Sequence, residues 1–364
     1  MLLINKRFSI AVQRRDFVKS AMCLSCLGLM NSGCSNLLNL QNDEFKDFDH
    51  TKSRFYYKSV DELPKTVRLE ACSLCQLNCP ACTVRKLEKN APKGWLGYLK
   101  FSDFKKFIDK HPFIKEIELS NNGEIFLNPE LDDIIKYAYE KKIRLTALNG
   151  VNFNTVNDKI LETLVKCKFR NLTIALDGAT AETYKIYRRG GDFNTVIKNI
   201  EKLNQLKEKY SSKFPKLIYQ FIVFGHNEHE IEDAKKLAKK LKMEIKFRKN
   251  TYDESYSPIK NQTSLEQSTE LKFKQEDKNY LACKKMFSNV QIDYNGNLLG
   301  CCFIQLSHFR ANAFKEGLLN ALNSPDFIWA KHMLSDFSYK PKKGVPCSIC
   351  VNYHYIKENN FPLS

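Results

Sequence analysis

Cys75-Gln76-Leu77-Asn78-Cys79-Pro80-Ala81-Cys82 is the stretch on which the reading of this chain turns. Three cysteines in eight residues, spaced C-x-x-x-C-x-x-C, do not suit a closed zinc site, which takes four ligands and usually shows two separated C-x-x-C pairs. Three thiolates do suit a cubane iron–sulfur cluster with one iron left unligated by protein, and an open iron is a place for a substrate or cofactor to bind. Cys72 lies three residues earlier, so the run also reads C-x-x-C-x-x-x-C-x-x-C. Four cysteines could close a ferredoxin-like cluster or hold zinc. The choice between open and closed falls to the rest of the chain.

After Pro64, short apolar runs alternate with helical periodicity, the pattern of an α/β strand–helix repeat. Strands are expected near 67–69, 114–119, 143–148, 172–176, 217–224 and 243–247. Between them, Ser102 is placed to cap a helix carrying Phe104, Phe107 and Ile108. Asn128-Pro129 is placed to open the next, with Pro at the first helical position. The helix after the fourth strand is interrupted at Gly190-Gly191 and resumes with Phe193, and Asn227 with Glu230 has capping-box spacing. Six such units imply a parallel sheet with right-handed crossovers. They are too few for a closed eight-unit barrel, so the expected form is an open, partial (βα)6 barrel with functional groups at the C-terminal strand ends.

The strand ends carry the informative residues. After strand two comes Asn122-Gly123-Glu124, after strand three Asn149-Gly150, and after strand four Asp177-Gly178-Ala179-Thr180 with Arg188-Arg189-Gly190-Gly191-Asp192-Phe193 beyond. Taken singly, these are ordinary turn dipeptides. In this order, behind the cysteine spacing, they resemble the radical S-adenosylmethionine (radical SAM) family, whose fold is the same partial barrel. The resemblance implies that Cys75, Cys79 and Cys82 bind a [4Fe–4S] cluster, and that Gly123, Glu124, Asn149, Asp177 and Arg188 bind SAM. One electron from the cluster would cleave SAM to a 5′-deoxyadenosyl radical that abstracts hydrogen from substrate. Asn122 replaces the family's first Gly, Leu148 its Thr, and Ala175 a Ser that often contacts the ribose. Cys72 then reads as a bystander beside the cluster.

Further on, Cys283, Gly296, Cys301 and Cys347-Ser348-Ile349-Cys350 resemble a truncated SPASM, or twitch, auxiliary-cluster domain. Residues 291–298 read as a hairpin with an Asn-Gly turn, which would set Cys283 and Cys301 on neighbouring strands. No cysteine follows Cys350, so the resemblance implies one auxiliary [4Fe–4S] cluster on Cys283, Cys301, Cys347 and Cys350. Cys302 is the alternative to Cys301, and zinc the alternative to iron. Cys167 reads as helix packing. The expected layout is a leader (1–34), a linker (35–63), the barrel (64–248), a polar bridge (249–280) and the auxiliary domain (281–356).

Thirteen cysteines in 364 residues, clustered at short spacings, favour reduced metal ligands over disulfides. The net charge of +17 comes from lysines scattered over every helix, without a compact basic stripe interleaved with aromatics. That favours a solvated surface over a nucleic-acid partner. Arg14-Arg15-Asp16-Phe17-Val18-Lys19, the apolar-rich run 21–30 and Gly33-Cys34 resemble a twin-arginine signal with a vague lipoprotein site. Export by that route, or a membrane anchor, competes with a cytoplasmic location, where SAM and strong reductants are made. The expected partners are a flavodoxin- or ferredoxin-like low-potential donor and a small-molecule or peptide substrate. A carbohydrate-like small molecule is preferred, because no separate N-terminal peptide-recognition domain is evident. From another class, a non-catalytic iron–sulfur carrier or a zinc-binding nucleic-acid module stays open.

Overall fold

The alternation of apolar runs and helical stripes folds into six parallel strands joined by helices. A computed structural model describes residues 43–82, 84, 95–250, 255–269, 271, 278–301 and 308–363. The signal-like segment and Cys302 lie outside the described residues. Residues 1–46 form one unit, of which the 3-10 turn Asp43–Phe45 is described; all that follows concerns the second unit, 47–364.

The strands are β1 (Thr66–Leu69), β2 (Glu116–Glu118), β3 (Arg144–Val151), β4 (Asn171–Ala175), β5 (Lys216–Val223) and β6 (Glu244–Lys249). The intervening helices are α1 (Phe101–Lys110), α2 (Leu131–Glu140), α3 (Asp158–Lys166), α4 (Ala181–Tyr187), α5 (Phe193–Lys209) and α6 (Ile231–Lys240). Strand order is β6-β5-β4-β3-β2-β1, every pair parallel, as the repeat requires. β5 is buried along nearly its whole length, as a strand covered on both faces must be. The helices bury their apolar stripes on the sheet: Phe104, Phe107 and Ile108 from α1, and Ile160, Leu161, Leu164 and Val165 from α3.

Helix starts differ from the sequence reading, and at two of them the polar side chains find more distant partners. Ser102 lies inside α1; Lys100 is the cap residue, and the Phe101 N–H donates to Glu130 Oε2 at 2.6 Å. Pro129 precedes α2 instead of opening it. Asn128 is buried and donates to the Ala71 and Leu99 carbonyls, both at 2.9 Å, so it ties the β2 loop to the chain after β1. Asn227 and Glu230 form no capping box: Asn227 donates to the Asp177 and Ile222 carbonyls, and Glu230 accepts from Ala179 N and Thr180 Oγ1. The break at Gly190-Gly191 is as expected, with Asp192 capping α5 through Thr195 N. Cys167 is the half-buried C-cap of α3, outside the helix proper.

Beyond β6 come α7 (Gln262–Thr269), α8 (Lys278–Ser288), β7 (Val290–Ile292), β8 (Leu298–Leu299), α9 (Leu318–Leu322), α10 (Pro325–Ser335) and α11 (Val351–Glu358). β7 and β8 form the expected hairpin, with Gly296 at φ +87° in its turn. The hairpin joins the main sheet, β7 lying parallel to β1 with Val67 opposite Val290. Cys283 therefore does not face Cys301 across two strands. β7 starts only at Val290, where β1 pins it, and Cys283 sits on α8, which packs on α11; Cys301 follows β8. Among the described residues β6 and β8 end the sheet without pairing to each other, so the barrel is open.

Candidate cofactor site at the strand ends

The loop after β1 carries Cys75, Cys79 and Cys82 and is braced by the ends of four other strands. From β2, Glu124 N donates to the Leu74 carbonyl at 2.7 Å. A Cβ on Gly123 would stand 2.4 Å from Leu74 O and 2.6 Å from Cys72 O, so only glycine lets these two backbones meet. From β3, Asn152 donates to Cys75 Sγ at 3.8 Å and exchanges amide hydrogen bonds with Gln76. From the end of α4, the helix that follows β4, the Arg189 carbonyl accepts from Asn78 N at 2.7 Å, and Arg188 Nη1 reaches Cys79 Sγ at 3.9 Å. From β5, Ile222 and Phe224 join Tyr187 as an apolar wall behind Leu77, Cys79 and Ala81, with Cys75 and Cys82 packed at its edge.

The residues singled out as SAM contacts gather here, and several are already engaged within the protein. Glu124 is 1% exposed; its carboxylate accepts from Phe126 N and from Asn152 N, and burial pushes its pKa up to about 7. Asp177 is 0% exposed and adopts φ +53°. It accepts from Ile222 N at 2.6 Å and pairs with Arg188, whose Nε donates to Oδ2 at 2.6 Å. Burial opposes charge on Arg188, but Asp177 and Cys79 hold it protonated well above the usual range. Asn149 donates its amide to the Asn121 carbonyl at 2.7 Å, beside a bulge in β3 and Gly150 at φ +100°. Gly123 meets the cysteine loop.

Local sequence gave little warning of the bracing residues. Asn152 has no motif around it. Glu118 is buried and holds β3 through Thr146 Oγ1 and Leu148 N, and Glu70 accepts from both amide hydrogens offered by Asn122. Cys72 is buried, bridges to Tyr98, and turns its thiol to the Leu74 carbonyl at 3.7 Å.

The thiols suit a metal cluster. Burial pushes Cys75 up to about 12, and charge on Cys79 or Cys82 would push it further; such a set needs positive charge beyond the Arg188 guanidinium. Among the described residues, no three His, Cys, Asp or Glu side chains converge as ligands of a single ion would. A cubane spreads its thiolates around four irons, a wider set than tetrahedral zinc takes.

Residues 70–238 match the family model of the radical SAM superfamily. The chain carries a radical SAM domain over those residues. Such a domain implies a [4Fe–4S] cluster and SAM as cofactors. An AdoMet-dependent heme synthase of Methanosarcina barkeri is 29% identical over 186 residues, 50% of this chain and 49% of the relative. A GTP 3′,8-cyclase of Clostridium botulinum is 26% identical over 188 residues, 50% of this chain and 54% of the relative. The chain thus spans about half the length of these two relatives. In three dimensions it resembles Streptococcus suis SuiB bound to S-adenosylmethionine, with a TM-score of 0.58 at 14% identity over 94% of this chain and 81% of the other. SuiB bound to its precursor peptide SuiA gives 0.56 over the same shares. The likeness to SuiB is one of fold.

The second cysteine set of this radical SAM protein also gathers. Cys283, Cys301 and Cys347 are buried, Cys350 half-buried, and burial raises the Cys347 thiol well above its usual range; charge on its neighbours Cys301, Cys350 or Cys283 would raise it further. Cys347 Sγ lies 3.7 Å from Met286 Sδ.

Proposed function

We propose that this protein cleaves SAM reductively and abstracts a hydrogen atom from its substrate. The observation that carries the reading is the Cys75–Cys82 loop, held by four strand ends with two of its thiols at the edge of the wall. Bound together, the cluster and SAM supply a 5′-deoxyadenosyl radical. Cys75, Cys79 and Cys82 would hold the cluster, Asn152 and Arg188 would donate to its sulfur ligands, and the Ile222, Phe224 and Tyr187 wall would exclude water from one side. Cys283, Cys301, Cys347 and Cys350 would hold an auxiliary [4Fe–4S] cluster that takes an electron from the substrate or anchors it. A low-potential donor supplies the electron for cleavage.

The fold match to SuiB over 94% of this chain favours a peptide substrate over the carbohydrate-like small molecule. Anaerobic protein is incubated with SAM, reductant and deuterated cell extract, split into peptide and small-metabolite fractions, and deuterium in 5′-deoxyadenosine is followed. Label from the peptide fraction supports the peptide reading, and label from the small fraction restores the other. Failure to cleave SAM overturns the enzyme reading. We place the competent protein in the cytoplasm, where its SAM and reductant are made. Return of membrane or periplasmic protein to the cytosol on Arg14→Lys/Arg15→Lys substitution would refute that placement.

A further inference from the structure

The large exposed apolar side chains concentrate near the C-terminus, around one cysteine. Ile349 is 65% exposed and Val351 60%, and they flank Cys350; Tyr355, one turn along α11 from Val351, and Phe361 are also exposed. Of the four auxiliary cysteines, Cys283, Cys301 and Cys347 are buried and Cys350 is half-buried, so this collar stands where the set comes nearest to solvent. A cleft of about 340 Å³ runs beside it, between the 341–346 turn and Ile349. Its rim is basic: Lys340 and Lys343 are exposed, Lys342 lies 4.0 Å over the Trp329 ring, and the Arg310 guanidinium packs on Gly344. Glu358 is the one acidic side chain of α11.

Exposed apolar residues beside positive charge, as Ile349 lies beside Lys342 and Lys343 in this cleft, are the anatomy of a small, transient interface for a negatively charged protein. We propose that this collar docks an acidic one-electron iron–sulfur carrier against Cys350. The carrier and the cluster held by the four cysteines exchange one electron. When the reduced carrier docks, it is oxidised by one electron and the cluster reduced by one, and the reverse transfer empties the cluster after substrate oxidation. The proposal rests on the auxiliary-cluster reading above.

The test uses the full chain with reconstituted iron and a purified acidic plant-type [2Fe–2S] ferredoxin, measuring the dissociation constant and the rate of electron exchange at low and high salt. Ile349→Glu/Val351→Glu should weaken binding at least about tenfold. Lys340→Glu/Lys343→Glu should weaken it at low salt only, since exposed charges are screened. Iron content and reduction by dithionite should stay unchanged in both. Val60→Glu, an exposed apolar site elsewhere, should change nothing. Wild-type binding by the Ile349/Val351 variant, or equal loss in Val60→Glu, overturns the proposal. So does a salt-independent self-association seen by sedimentation, which would make the collar a contact between two copies. If protein carrying Cys75→Ala, Cys79→Ala and Cys82→Ala binds no iron, the auxiliary reading falls first and this one with it; iron present without docking overturns this one alone.

Discussion

The two cysteine sets of this protein are built in opposite ways. The Cys75, Cys79 and Cys82 set lies on a loop at the mouth of the sheet, packed on an apolar wall and reached by polar groups: Asn152 and Arg188 at its sulfurs, and the Glu124 N–H at the Leu74 carbonyl. The Cys283, Cys301, Cys347 and Cys350 set is enclosed between α8, the end of β8 and the start of α11, with Met286 against Cys347. A loop braced from its sides keeps one face for a ligand; a set enclosed by helices is saturated by protein. The first arrangement suits chemistry at an open iron, the second electron storage, and their seam is the pairing of β1 with β7.

The sharpest way to break this contrast is to remove the first set. Replacing Cys75, Cys79 and Cys82 by Ala should abolish SAM cleavage and lower iron from about eight atoms to about four, measured by iron and sulfide analysis. Loss of all iron would remove the second set as an independent cluster site. Next in size is the buried ion pair that joins the loop to β4. Arg188→Leu leaves Asp177 charged and unpaired and should destabilise the protein by about 3–5 kcal/mol in urea melts. Adding Asp177→Leu should recover most of that, and no recovery would refute the pairing.

Glu70 tests the seam. It accepts from Asn122 N and Nδ2 on the catalytic side and lies near Asp293 of the hairpin. Burial, with Asp293 adding to it, pushes its pKa from 4.5 up to about 7. A raised folded pKa means that the native state keeps its proton longer than the unfolded chain. Stability from this group is full below about pH 4.5 and falls as pH rises to about 7, by an order of 3 kcal/mol. Glu70→Gln should flatten that fall in melts taken across the range; an unchanged slope would assign it to another group. Gly123→Ala, whose methyl would meet Leu74 O, should cost about 1–3 kcal/mol and lower iron in the first set only. The smallest effect is expected at Cys72. Its Ala variant should lose about 1 kcal/mol and still cleave SAM, and loss of cleavage in folded protein would make Cys72 a ligand.

Sequence by itself determined the repeat and the cysteine pattern. Apolar periodicity is a local property, so six strands, their helices and the break at Gly190-Gly191 were legible within a residue or two at most boundaries. Cysteine spacing is local too, and the turn residues behind each strand carried the family resemblance. Tertiary structure alone decided what those residues touch. Asn128, Asn227 and Glu230 looked like helix-start residues, but each is buried, and a buried polar group takes whatever partner the packed fold brings to it. Asp177 and Glu124, expected as SAM contacts, also accept from backbone donors and, for Asp177, from Arg188. Cys283 looked like a strand residue until β7 was seen to be claimed by β1. Hydrogen bonds between residues 28 to 109 positions apart leave no mark on the spacing of the chain, so only the packed structure assigns them.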